Sequence, residues 1–132
     1  MTTFCPSPFL RRVLLADALT SGASGLFMTL LAHPVEGTLG VSAEFLRYAG
    51  LSLLPFAALV AYLATRESLS RRAVWAVIVL NALWAADSIL LLVGGWVGPT
   101  ALGYAFIIAQ ALIVAAFAEL QYLGLRKSPA TA

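Results

Sequence analysis

The sequence predicts an all-α membrane protein, a single bundle of four transmembrane helices, and three observations predict it. The 132 residues are 61% hydrophobic and 11% charged, whereas a soluble domain carries about 25% charged residues. So little charge cannot cover a globule in water, and hydrocarbon must solvate much of the surface. The apolar residues fall into four stretches of about 20 residues, each long enough at 1.5 Å per residue to cross a core of roughly 30 Å. The basic residues gather in the gaps between alternate stretches. At this length there is room for one compact domain.

The four predicted helices span residues 13–33, 45–64, 73–93 and 101–124. Local breakers separate them. His33-Pro34-Val35-Glu36-Gly37 and Gly40 mark the first break. Arg66-Glu67-Ser68 through Arg71-Arg72 marks the second, and Gly94-Gly95-Trp96-Val97-Gly98-Pro99 the third. Glycine is permissive at helix caps, and proline lacks the N–H that would continue a helix. Short breaks force antiparallel neighbours, so an up-down-up-down bundle is expected. Residues 128–132 are expected to be a frayed tail.

Arg11-Arg12 ahead of an apolar run is also the opening of a secretory signal. The run is long, contains Asp17 and reads Leu30-Leu31-Ala32 before His33, without the small-residue cleavage pattern. It is expected to stay as a span.

Arg11 and Arg12 precede the first helix. Arg66, Arg71 and Arg72 lie between the second and third, and Arg126 and Lys127 follow the fourth. The opposite side carries only Arg47, with Glu36 and Glu44 nearby. The positive-inside rule then places both termini in the cytoplasm. Trp96 and Tyr104 suit one aromatic belt, and Trp75, Tyr62 and Tyr122 the other.

Ionisable groups at membrane depth cost roughly 2.5–3.5 kcal/mol on insertion scales, so each needs a depth and a face. Asp17 lies about 6 Å inside the expected boundary and shares a face with Ser21, Ser24 and Met28. It is expected to pair with Arg12 or an arginine of the second break. Beside it, Ala18, Gly22, Gly25 and Thr29 form a small-residue face that lets helices approach closely, so helix 1 should be the most tightly packed. Asn81, Trp84, Asp87 and Ser88 fall within an arc of about 120° on helix 3, the most concentrated polar stripe in the chain. Asp87 is expected to pair with Arg47 or to be held neutral by burial.

Gln110 and Gln121 share one face of helix 4, with Glu119 opposite. Ala111, Ala115 and Ala118 near Glu119 suggest a surface for a second copy. Pro55 should bend helix 2, with Ser52 satisfying the carbonyl it frees. The candidate intramembrane polar site is therefore Asp87, Asn81, Ser88 and Trp84, with Arg47, Asp17 and Gln110 from the other helices.

Absences narrow the function. The single Cys5 excludes a disulfide within the chain. The single His33 excludes a haem held by two histidines of one chain, and no His/Cys cluster makes a metal site. No catalytic constellation, cofactor or metal is expected, and the paired basic residues at helix ends are no nucleic-acid footprint. Of the acids, Asp17, Asp87 and Glu119 differ in depth, which argues against a lipid-modifying enzyme with a shared site.

The run Leu39-Gly40-Val41 through Leu46-Arg47-Tyr48-Ala49-Gly50-Leu51-Ser52-Leu53-Leu54 resembles the second-helix entry of small bacterial four-helix membrane proteins of the DoxX-like kind. The resemblance covers mainly helices 1 and 2 and rests on glycine, aromatic and leucine positions. It implies a four-helix architecture in the bacterial inner (plasma) membrane, with some members tied to respiratory or redox contexts. It transfers no site residue. The expected partners are membrane lipids, a second copy or another membrane protein, and a lipophilic small molecule. The alternative is a small dimeric proton-coupled transporter using Asp87.

Overall fold

A computed structural model describes residues 3–95 and 98–127. Trp96, expected in an aromatic belt, Val97 of the third break and the tail 128–132 lie outside the described residues. Among the described residues the chain forms β1 (Thr3–Phe4), α1 (Pro8–Leu30), α2 (Ala32–Leu39), α3 (Ala43–Thr65), β2 (Leu69–Ser70), α4 (Arg71–Val93) and α5 (Ala101–Arg126). Four of the five helices, α1, α3, α4 and α5, are long and apolar enough to cross a membrane.

α1 begins five residues earlier than the hydropathy alone implies. Ser7 accepts a hydrogen bond from the Leu10 N–H and Pro8 follows it in the first turn, a start that suits proline because its missing N–H would be unpaired there anyway. Arg11 and Arg12 therefore lie inside the helix. Arg11 turns to the end of α3, where its guanidinium donates to the carbonyls of Ala64 and Arg66. A cation there satisfies carbonyls that have no partner within the helix.

The segment expected to be an irregular break after the first span is instead the two-turn helix α2. It ends at Gly40, whose φ of 70° is the left-handed conformation glycine adopts without penalty. Glu36 then accepts the Ala43 N–H at 2.5 Å, joining α2 to the start of α3. The carbonyls of Thr38 and Leu39 accept from the hydroxyl and N–H of Thr100, which anchors the start of α5. Gly103 lies against the Leu39 carbonyl, where no side chain fits.

The basic end is clasped differently. β1 and β2 pair antiparallel, with Thr3 opposite Ser70 and Phe4 opposite Leu69. Phe4 is fully buried in a core with Leu10, Leu14, Leu63, Val74 and Leu125. The Arg71 guanidinium stacks over the Phe4 ring at 5.5 Å, and Lys127 over Phe9 at 5.0 Å. Tyr62, Trp75 and Tyr122 are exposed at this end, with Arg66 over Tyr62 and Arg126 over Tyr122.

Around the bundle the long helices run in the order α3, α1, α5, α4. α1 packs most extensively on α3, α4 packs on α5, and α5 joins the two pairs through α1. α3 and α4 barely touch. The bundle is thus open along one side.

The α1–α3 contact is close because Gly25 faces Gly50. A Cβ on Gly50 would sit 2.7 Å from the Gly25 carbonyl oxygen. The Thr29 hydroxyl points at the same place and is buried without a hydrogen-bond partner among the described residues. The outward surface is apolar, with Leu19, Leu30, Leu83 and Leu112 more than half exposed. A contiguous apolar exterior of this kind is a liability in water and the expected surface in lipid.

Two further expectations are corrected. Ser52 donates to the Tyr48 carbonyl at 2.9 Å, not to the Leu51 carbonyl that Pro55 leaves without its usual donor. Ala111 and Ala118 are buried in the chain's own core. Those two alanines therefore pack within the chain, and of the three expected to form a surface for a second copy only Ala115 is part-exposed.

Candidate intramembrane site

Seven polar residues of the long helices form two separate hydrogen-bonded groups. In the first, Asp17 of α1 meets Asn81 of α4 and Gln121 of α5. Asp17 and Gln121 are 0% exposed and Asn81 is 2% exposed. The Asn81 amide donates to Asp17 Oδ2 at 2.8 Å and to Gln121 Oε1 at 3.0 Å. The Gln121 amide donates to Asp17 Oδ2 at 2.6 Å, and the Ser21 hydroxyl to Asp17 Oδ1 at 3.1 Å.

Both carboxylate oxygens are thus engaged by neutral donors, and no arginine takes part. The expected pairing of Asp17 with Arg12 or an arginine of the second break is not made. Arg12 is exposed and Arg11 is committed to the end of α3. The earlier start of α1 explains it. Counted from Pro8, Asp17 lies about 14 Å along the helix rather than about 6 Å. That depth matches Asn81, about 15 Å along α4.

In the second group, the Trp84 indole donates to Gln110 Oε1 at 2.6 Å. Gln110 Nε2 donates to Ser88 Oγ at 2.8 Å and to the Ile107 carbonyl at 3.0 Å. Ser88 in turn donates to the Trp84 carbonyl at 2.8 Å. This chain ties α4 to α5 one to two turns beyond the buried acid.

Two cavities lie in the open side between α3 and α4. The deeper one, about 400 Å³, is lined by Ser21, Leu53, Pro55, Phe56, Leu59, Leu80, Asn81 and Val114. The one nearer α2, about 370 Å³, is lined by Phe45, Tyr48, Ala49, Asp87, Ser88, Leu91, Phe106 and Gln110, among others. Ser52 and Trp84 border both. Together they make one cleft with an apolar lining and few polar groups, in the size range of small-molecule sites, roughly 300–1,000 Å³ each.

The predicted site residues fall accordingly. Asn81 and Asp17 meet in the buried cluster, and Asn81 also reaches the deeper cavity. Trp84, Ser88 and Gln110 form the second chain at the cleft wall. Asp87 lines the outer cavity but is exposed, and it makes no hydrogen bond or ion pair with any described residue. Neither the expected Arg47–Asp87 pair nor burial of Asp87 is observed. Arg47 is half-buried on α3 and does not line the cavity, because helical phase turns it about 100–160° away from Phe45, Tyr48, Ala49 and Ser52, which do.

Gln121 is the residue that sequence reasoning left out of the site. Its signal was present: it lies three turns from Gln110 on one face and at the basic end of the helix, as Asp17 does. Among the described residues no three His, Cys, Asp or Glu side chains gather to hold a metal ion. Cys5 is exposed and remote from the cleft.

No family model, curated protein or solved structure matches the chain.

Proposed function

We propose that the chain is a multi-pass protein of the plasma (inner) membrane, an up-down-up-down bundle with its basic end in the cytoplasm. We infer that it holds a lipophilic small molecule in the cleft between α3 and α4. The observation that carries this reading is the open side of the bundle. Three pairs of helices close on one another, and the fourth leaves two connected cavities where acyl chains would otherwise press. The polar lining groups are few, and Ser52, Asn81, Trp84, Ser88 and Gln110 are held by hydrogen bonds, as orienting groups in a binding site need to be. The buried Asp17 cluster stiffens the wall behind the cleft.

The test is native mass spectrometry of the protein extracted in a mild detergent, with a Ser52→Phe variant beside it. Ser52 is exposed and borders both cavities, so the larger side chain blocks the cleft without entering the core. The wild type is expected to retain a defined lipophilic mass. Occupancy in the variant should fall by about tenfold, equivalent to about 1.4 kcal/mol. A random spread of bulk lipids, equal in both proteins, would sink the reading.

A second reading, a small dimeric transporter coupled to protons, draws on Asp87 in the outer cavity. It predicts a proton-coupled flux in proteoliposomes that Asp87→Asn abolishes. Flux that persists in that variant excludes it.

A further inference from the structure

The outer cavity carries one feature the binding reading leaves unused, a carboxylate that no cation among the described residues neutralises. Asp87 lines the wall of a mostly apolar chamber and has no partner among the described residues. Four aromatic residues line the same chamber: Phe45 and Tyr48 of α3, Trp84 of α4 and Phe106 of α5. Trp84 is fixed by its bond to Gln110 at 2.6 Å. Phe106 packs against Phe27, with ring centroids 6.2 Å apart.

A carboxylate beside aromatic rings in a mostly apolar chamber is complementary to one chemical class, an organic cation with apolar substituents. The rings attract the cation through their negative faces, most strongly for Trp, and the carboxylate supplies the counter-charge. An anionic ligand would meet repulsion from Asp87, and a neutral one would leave its charge unanswered. The charges around the chamber mouth point the same way. That end of the bundle carries Glu36, Glu44 and Asp87 against the single Arg47. Arg47 does not line the chamber, and the seven other basic residues lie at the opposite end or beyond it.

We propose that the outer chamber selects a lipophilic monocation, an aromatic or alkyl ammonium, through Asp87 and the rings of Trp84, Tyr48, Phe45 and Phe106. This rests on the proposed binding role of the cleft and adds the charge of the ligand. Asp87 is the selectivity residue and the rings are the receptor surface.

The test compares two probes of the same shape and different charge, biphenyl-4-yl-trimethylammonium and 4-tert-butylbiphenyl. Binding to the detergent-solubilised chain is measured by equilibrium dialysis, with protein-free micelles as the blank. Wild type, Asp87→Asn and Ser52→Phe are compared after their elution and helicity have been checked. Asp87 makes no hydrogen bond or ion pair among the described residues, so its variant is expected to fold as the wild type does.

The expected result is that both probes bind and that Ser52→Phe displaces both. Asp87→Asn should weaken the cation by about tenfold and leave the neutral probe unchanged. If Asp87→Asn leaves cation binding intact while Ser52→Phe still displaces both probes, the charge inference is overturned and the cleft reading stands. If neither probe binds above the micelle blank, both are overturned.

Discussion

Asp17→Ala is expected to destabilise the bundle by about 2–5 kcal/mol. The lower figure counts three lost hydrogen bonds at the membrane average of about 0.6 kcal/mol each. The upper one recognises that the Asn81 and Gln121 amides, both buried, lose their shared acceptor. Asn81 keeps Gln121 Oε1 as an acceptor, so the upper figure adds one buried unsatisfied amide donor, about 1–3 kcal/mol, to the lost bonds. In the membrane setting proposed above, no water would enter to take over those bonds.

Asp17→Asn should fall between the two proteins, because one acceptor oxygen survives. The triple change Asp17→Leu, Asn81→Leu and Gln121→Leu should recover much of the loss, since removing all partners together leaves no orphaned donor. Unfolding in mixed detergent and dodecyl sulfate, followed by circular dichroism, measures all three. An Asp17→Ala protein as resistant as the wild type would show that the cluster does not hold α1, α4 and α5 together.

That prediction depends on a contact the periodicity could not supply. Hydropathy located the long helices because each carries an uninterrupted, largely apolar run of about 20 residues. Helical phase grouped Asn81, Trp84, Asp87 and Ser88 on one arc, and all four do face the cleft or the helices beside it. Phase does not say which helix stands opposite. With α3, α1, α5 and α4 in that order and the last side open, Asn81 turns to α1 and α5, while Asp87 faces the gap.

The start of α1 was hidden for a related reason. Arg11 and Arg12 read as a membrane boundary by charge. The Ser7 cap and the carbonyls at the end of α3 let the helix begin before them. α2 was hidden by Pro34 and Gly37, residues that break long helices but fit a two-turn one, where proline sits in the first turn. The cleft had no signature in the sequence at all. A cavity between two helices is a property of how their neighbours pack, and apolar cavity walls look the same in sequence as lipid-facing surfaces.

The second large effect is expected at Gly50, where two opposing contributions can be separated within one helix pair. Alanine is the better helix former by about 0.5–1 kcal/mol, so Gly→Ala in an open helix stabilises. At Gly22 that gain should appear, because a Cβ there meets only the Ala57 side chain at 3.8 Å, an ordinary contact. At Gly50 the same atom would sit 2.6 Å from Thr29 Oγ1, 2.7 Å from the Gly25 carbonyl oxygen and 2.9 Å from Met28 Cβ. None of these is the far end of a flexible chain, so relief requires α1 and α3 to move apart along their most extensive contact.

Overpacking of this kind costs about 1–3 kcal/mol, which exceeds the propensity gain, and Gly50→Val should cost more again. Gly22→Ala is thus expected to raise the unfolding midpoint and Gly50→Ala to lower it, in the same detergent and by the same assay. If the two variants shift it alike, helix propensity governs this pair, and the close glycine contact between α1 and α3 contributes nothing to holding the bundle together.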